Sequence, residues 1–265
     1  MSQRQIIFHA ILLSLLLLYR GHEPVAQTLM DDPAFAAFQQ ATEAFNRQAY
    51  QQAKQFARQA VTYYPQYLMA HYLLGQVALA EMRWDEAAQA FFTVVSLYPT
   101  CFAGHRDLGI ALEQAKRPEE ASTAYQTALT ILPGNSDVQA RLAFLHVQAG
   151  RQEAALSLLR PLAESGTTMP EVWAVLGRLL YDTRDVAGSA KALQRAAELR
   201  DDGKLWFNLG AVRLHLEDWQ GARRAFEHAA RHAETQEQAK RELDNLQQRD
   251  KGVVSPQSRI GPTKR

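Results

Sequence analysis

Pro65, Pro99 and Pro133 stand 34 residues apart, and the stretch before each repeats one order of small and large side chains. A unit this short cannot enclose a core alone and must bury its apolar face on its neighbours. Residues 24 before the three prolines are Ala41, Gly75 and Gly109, and residues 12 before them are Ala53, Ala87 and Ala121. Eight before stand Ala57, Phe91 and Tyr125, and five before stand Ala60, Val94 and Ala128. Within one period, Leu68 to Glu81 carries apolar residues at helical spacing, Met82-Arg83-Trp84-Asp85 interrupts it, and Glu86 to Tyr98 resumes it. Proline ends the second segment, because it donates no i to i−4 hydrogen bond and pushes the preceding residue out of helical geometry. Gly75 and Ala87 mark places where two antiparallel helices approach closely.

This pattern resembles the tetratricopeptide repeat (TPR) family, whose small-large alternation and closing proline match the residues just named. A fourth unit keeps Leu142, Ala143, Ala155 and Leu159, but its loop Glu164 to Met169 reads as longer and its proline arrives late, at Pro170. The fifth has Trp173, Leu176, Gly177 and Leu180, then Ser189 where alanine is usual, and Leu193. The sixth has Trp206, Leu209, Gly210, Trp219, Ala222, Phe226 and Ala229. The resemblance implies an all-α, right-handed superhelical solenoid of about six helix-turn-helix repeats over 34–233, at about 34–67, 68–101, 102–135, 136–169, 170–202 and 203–233. Leu243 and Leu246 on an otherwise charged helix suit a capping helix over 234–250. The tail 251–265 loses periodicity and reads as disordered.

Ahead of the repeats, Arg4 precedes Ile6 to Leu18, an apolar run broken only by His9 and Ser14. A spanning helix needs about 20 apolar residues, a signal-peptide core roughly 7 to 15. Residues 1–26 therefore read as a signal peptide cleaved before Gln27, with 27–33 as a linker, although Pro24 replaces the small residue such a site prefers. That places the chain across the inner membrane, in the periplasm. The alternative is an uncleaved membrane anchor over residues 6–19. No cysteine lies near the end of the run, which excludes lipid attachment there.

Acidic and basic residues nearly balance, at formal net charge +1, and mix along the same helices, so no basic stripe points to nucleic acid. Cys101 is the only cysteine, which excludes an intramolecular disulfide and a cysteine zinc cluster. It reads as a small, partly buried residue, with a reactive thiol as the alternative. His228 and His232, at i and i+4, could face one metal, yet no third ligand stands at a fixed spacing, and they read as solvent-facing. His71 and His105 share one repeat position and read as partly buried packing, with a pH-sensitive or metal-binding pair as the alternative. No phosphate loop, G-x-S-x-G or H-E-x-x-H motif occurs. No catalytic residue, metal or cofactor is assigned, and an enzyme would need a site assembled across repeats.

In a stacked array the first helix of each pair lines the groove. The repeat offsets put Phe35, Phe38 and Phe45 there, then Met69, Tyr72, Gln76 and Leu79, then Arg106, Ile110 and Glu113. Phe144 and Val147, Arg178 and Tyr181, and Lys204, Phe207 and Leu214 follow. The candidate partner-binding residues are Phe38, Phe45, Tyr72, Gln76, Arg106, Ile110, Phe144, Arg178, Tyr181 and Phe207. Exposed aromatic side chains of this kind supply interface hot spots. Some family members hold a C-terminal carboxylate with Lys, Asn and Arg, but Phe38, Thr42, Leu73, Ala103 and Asp107 occupy those places here, so a clamp of that kind is not expected. The expected function is an envelope scaffold or adaptor that binds a protein or peptide, touching the membrane only through an uncleaved N-terminal segment. A homo-oligomeric structural protein, using Trp84, Trp173, Trp206 and Trp219, is the alternative.

Overall fold

A computed structural model describes residues 32–252. The signal peptide expected over 1–26, most of the 27–33 linker and the tail beyond Gly252 lie outside the described residues. Among the described residues the chain is all helix, in two compact units that divide between Pro133 and Gly134. The first unit holds three pairs: α1 (Pro33–Asn46) with α2 (Tyr50–Tyr63), α3 (Leu68–Ala80) with α4 (Trp84–Leu97), and α5 (Phe102–Gln114) with α6 (Pro118–Ile131). The second holds α7 (Ser136–Gln148) with α8 (Gln152–Glu164), α9 (Pro170–Asp182) with α10 (Val186–Leu199), α11 (Gly203–His215) with α12 (Trp219–Ala229), and a last helix, α13 (Gln236–Asp250).

Each pair closes through the same turn. The N–H of Ala49 donates to Ala44 O at 2.9 Å, and Arg83 to Ala78, Arg117 to Leu112, Arg151 to His146, Asp185 to Leu180 and Asp218 to Arg213 repeat that bond at 2.8–3.0 Å. This is the Schellman closure, which needs a left-handed residue just before the donor. Gln48, Met82, Lys116, Arg184 and Glu217 fill that place at φ 57–67°, and in the fourth pair Gly150 does so at φ 72°. A three-residue turn of this kind makes the two helices antiparallel neighbours.

Close approach within each pair rests on the small-large alternation. A Cβ added at Gly75 would sit 2.6 Å from the Phe91 ring, at Gly109 2.4 Å from Tyr125, at Gly177 2.7 Å from Leu193, and at Gly210 2.6 Å from Phe226. Phe91, Tyr125 and Phe226 are accordingly among the most deeply buried large side chains. The first and fourth pairs reach the same fit with Ala41 against Ala57 and Ala143 against Leu159, all fully buried.

The loop after the fourth unit, 165–169, is longer than those of the first unit by one residue, five against four, yet the 34-residue period is kept. α9 begins at Pro170, 34 residues after Ser136 begins α7, as Phe102 follows Leu68. Thr167 stands where the period places a closing proline, and Pro170 is the first residue of the next helix, where a missing N–H costs nothing. The residue that breaks the period is lost between α10 and α11, where Arg200–Asp202 bridges what four residues bridge earlier, so Gly177 and Gly210 lie 33 apart. In the second unit, α13 lays Ala239, Leu243 and Leu246 on Phe207, Phe226 and Ala229. It is pinned by Arg249 over the Trp219 ring, 3.0 Å from its centre, and by an Arg223–Asp250 ion pair.

Candidate partner-binding face

Two of the expected face residues are core. Phe38 is 6% exposed, its ring 5.2 Å from Tyr67 within the cluster formed by α1, α2 and α3. Phe207 is 5% exposed and packs on Phe226 at 5.3 Å. At this helix position a compact ring is spent on the neighbouring elements, so neither residue can meet a ligand. Tyr72 and Arg106 occupy the same position one and two repeats after Phe38, and their polar ends meet at Asp107. The Tyr72 hydroxyl donates to Asp107 Oδ2 at 2.5 Å, and Arg106 Nε donates to Oδ1 at 2.7 Å. Burial, then the Asp107 carboxylate, raises the Tyr72 phenol well above its ordinary range, so it stays a donor. Asp107, itself 5% exposed, is the residue the sequence reading missed. The signal was present: Tyr72 and Asp107 are one repeat plus one residue apart.

Beside Tyr72 and Arg106, and Phe35, Met69 and Lys204 nearer the helix starts, the accessible residues of the expected face fall at two first-helix positions. One is filled by Thr42, Gln76, Ile110 and Phe144, all half-buried, and by exposed Arg178. The other is filled by Phe45, Leu79 and Glu113 in the first unit and by Val147, Tyr181 and Leu214 in the second, all half-buried. Glu113 accepts from the Tyr125 hydroxyl at 2.7 Å, and the Tyr181 hydroxyl lies 2.9 Å from His215 Nε2. Phe144 and Val147 rest against the Leu176–Leu180 core, which fixes their orientation.

The histidines and tryptophans serve local structure. His71 Nε2 lies 2.8 Å from Pro65 O and His105 Nε2 2.9 Å from Pro99 O, the same contact in successive repeats. Trp173 Nε1 makes the equivalent bond to Thr167 O at 2.8 Å. His228 does not face solvent as expected: it stacks on Trp206 at 4.2 Å, while His232 Nε2 lies 3.4 Å from Asp201. Among the described residues no group of three His, Cys, Asp or Glu side chains could hold a metal. Cys101 caps α5, its sulfur accepting from Gly104 N at 3.3 Å. A cavity of about 260 Å³ opens on the second-helix side of the first unit and is lined by Lys54, Arg58, His71, Arg83 and Glu86, away from the expected face.

Two family models described as tetratricopeptide repeat match the chain, one at residues 112–179 and the other at 38–100, 83–136 and 174–239. Among solved structures, the MamA protein is 13% identical at TM-score 0.60, covering 64% of this chain and 93% of its own. PilF of Pseudomonas aeruginosa is 22% identical at TM-score 0.59, covering 76% and 92%. YrrB, described as a TPR protein with an unusual peptide-binding site, is 16% identical at TM-score 0.60, covering 73% and 97%. At these identities the likeness is one of fold. No curated protein matches the chain in sequence.

Proposed function

Because the chain belongs to the tetratricopeptide repeat family, we propose that it is a scaffold of the bacterial cell envelope that holds a peptide or helix of a partner protein against its first-helix faces. At the coarser level the repeats make it a protein–protein interaction scaffold, and proteins of this fold are generally not enzymes. The observation that carries the finer reading is the recurrence of half-buried side chains at the same two first-helix positions. Many of the other apolar residues on these helices are spent on the core. Phe45 in the first unit, and Phe144, Val147 and Tyr181 in the second, offer apolar surface whose orientation packing has already fixed, which lowers the entropy cost of binding, and Leu79 and Ile110 add half-buried apolar surface in the first unit. The envelope reading rests on the Ile6–Leu18 run in the sequence. YrrB, with its own peptide-binding site, makes a peptide ligand the natural first choice.

The test is affinity capture from native envelope extract, with partners identified by mass spectrometry. One variant carries Phe45→Ser and Leu79→Ser, and another carries Phe144→Ser and Tyr181→Ser. Recovery of the partner should fall at least about tenfold in one of them, the scale of a lost hot spot, with helicity unchanged. Undiminished recovery in both would refute the reading.

A further inference from the structure

The short connectors put every second-helix end and every following first-helix start on one edge of the first unit, and every intra-pair turn on the opposite edge. The two edges are chemically opposite. Residues 62–69, 96–103 and 130–133, which form the first, contain no Asp, Glu, Lys or Arg. They present Tyr63, Tyr64, Tyr98 and Leu132 at 47–54% exposure, each beside or one residue from an exposed proline. The turn edge instead carries Glu81, Arg83, Asp85, Lys116, Arg117 and Glu119. In the second unit the equivalent connectors hold Glu164 and Glu198, then Arg200, Asp201 and Asp202, so the uncharged edge is not a property of the repeat.

Part of the backbone of this edge is satisfied internally. Tyr67 N donates to Tyr64 O and Cys101 N to Tyr98 O, both at 3.0 Å, while Pro65, Pro99 and Pro133 have no N–H to satisfy. The Pro65 and Pro99 carbonyls are taken by His71 and His105. Tyrosine, with an apolar ring and a polar tip, suits the boundary between water and hydrocarbon. The carboxylate at this edge, Asp32, is engaged as the cap of α1, accepting from Ala34 N at 2.8 Å. α1 also starts here, so residues 19–32 lead from this edge to the apolar run Ile6–Leu18.

We propose that this edge of the first unit seats in the headgroup–acyl boundary of a neutral bilayer, with the Tyr63, Tyr64 and Tyr98 rings and Leu132 entering it. Among the described residues 62–69, 96–103 and 130–133 a charged ligand finds no counter-charge. The surface is distinct from the first-helix face assigned to the partner, so a scaffold seated this way keeps that face in water.

The test uses the full chain with phosphatidylcholine vesicles and a polarity-sensitive fluorophore at one of two exposed positions in a Cys101→Ser background: Thr100→Cys on this edge, or Met82→Cys on the turn edge. The Thr100 position should shift to the blue and be quenched several-fold more strongly by spin-labelled lipid than the Met82 position. Combined Tyr63→Ser, Tyr64→Ser, Tyr98→Ser and Leu132→Ser should abolish that quenching with helicity retained. Three outcomes would overturn the proposal: equal quenching at both positions, a shift that appears without lipid as protein concentration rises and so reports a second copy, and a shift that requires anionic phosphatidylglycerol.

Discussion

In the first unit the carbonyl that receives His71 or His105 belongs to a proline; in the second, the carbonyl that receives Trp173 belongs to Thr167. One place in the repeat, two chemistries, one contact: a ring N–H reaching six residues back to fasten the connector. The repeats differ in the same way elsewhere. α2, α4, α6 and α8 begin without a side-chain cap, whereas α10 and α12 are capped by Asp185 and Asp218. Gly75, Gly109 and Gly210 are matched to aromatic rings, Gly177 to Leu193, Ala143 to Leu159 and Ala41 to Ala57. The repeat thus keeps its backbone closure and the close approach within each pair, and leaves the residues that supply them free to change.

The sharpest way to break this equivalence is to disturb the volume match. Gly109→Ala should cost about 3 kcal/mol, the upper range for overpacking, because its Cβ meets a Tyr125 ring held by Glu113. Gly75→Ala combined with Phe91→Leu recreates the Ala143–Leu159 pairing and should recover most of the loss caused by Gly75→Ala alone. A double-mutant cycle by urea unfolding measures that coupling, and additive losses would show that the two solutions are not interchangeable.

A smaller effect separates the second unit. Pro161 lies inside α8 and withholds a donor from the Ser157 carbonyl, so Pro161→Ala should stabilise that unit by about 2 kcal/mol. Hydrogen exchange should place the gain in α8 and its neighbours.

The intra-pair turn gives a matched pair of opposite sign. Met82→Gly removes a left-handed side chain and should gain about 1 kcal/mol, and Gly150→Ala should lose about as much. Thermal melts of the two variants should move in opposite directions.

The least pronounced contrast is alkaline. Burial, then Asp32, pushes the Tyr67 phenol up to about 12 from its ordinary 10. A folded pKa above the unfolded one means the native state holds the proton more tightly. Its contribution is therefore complete below about pH 10 and is lost as pH climbs through about 12. The first unit should loosen first on alkaline titration, and Tyr67→Phe should flatten that slope; Tyr181 is the second unit's only tyrosine.

The period, the small-large alternation and the helix pairs were legible because each depends on residue size at a fixed offset. The late closing proline was a misreading with a physical cause: Pro170 was taken to end the fourth unit, although a proline also fits the first turn of the next helix. The face was legible only in part. Offsets place Phe38, Tyr72, Arg106 and Phe207 at one position, but what each does there depends on its length and on neighbours from the next element. Thus Phe38 and Phe207 are buried, while Tyr72 and Arg106 converge on Asp107. No one-dimensional pattern carries that. Ser189 is a remaining irregularity: it takes an alanine position, fully buried, with no hydrogen-bond partner for its hydroxyl, and nothing in the structure explains it.

An array of similar pairs has no internal reason to stop, because each pair displays the surface the next would use. α13 supplies one. Having only one apolar stripe, it covers Phe207, Phe226 and Ala229 and turns charge outward, so the second unit carries its own count of repeats. A pair gained by duplication would have to enter ahead of that helix, which makes this end a ruler for the number of repeats, while the repeats before it are free to diverge.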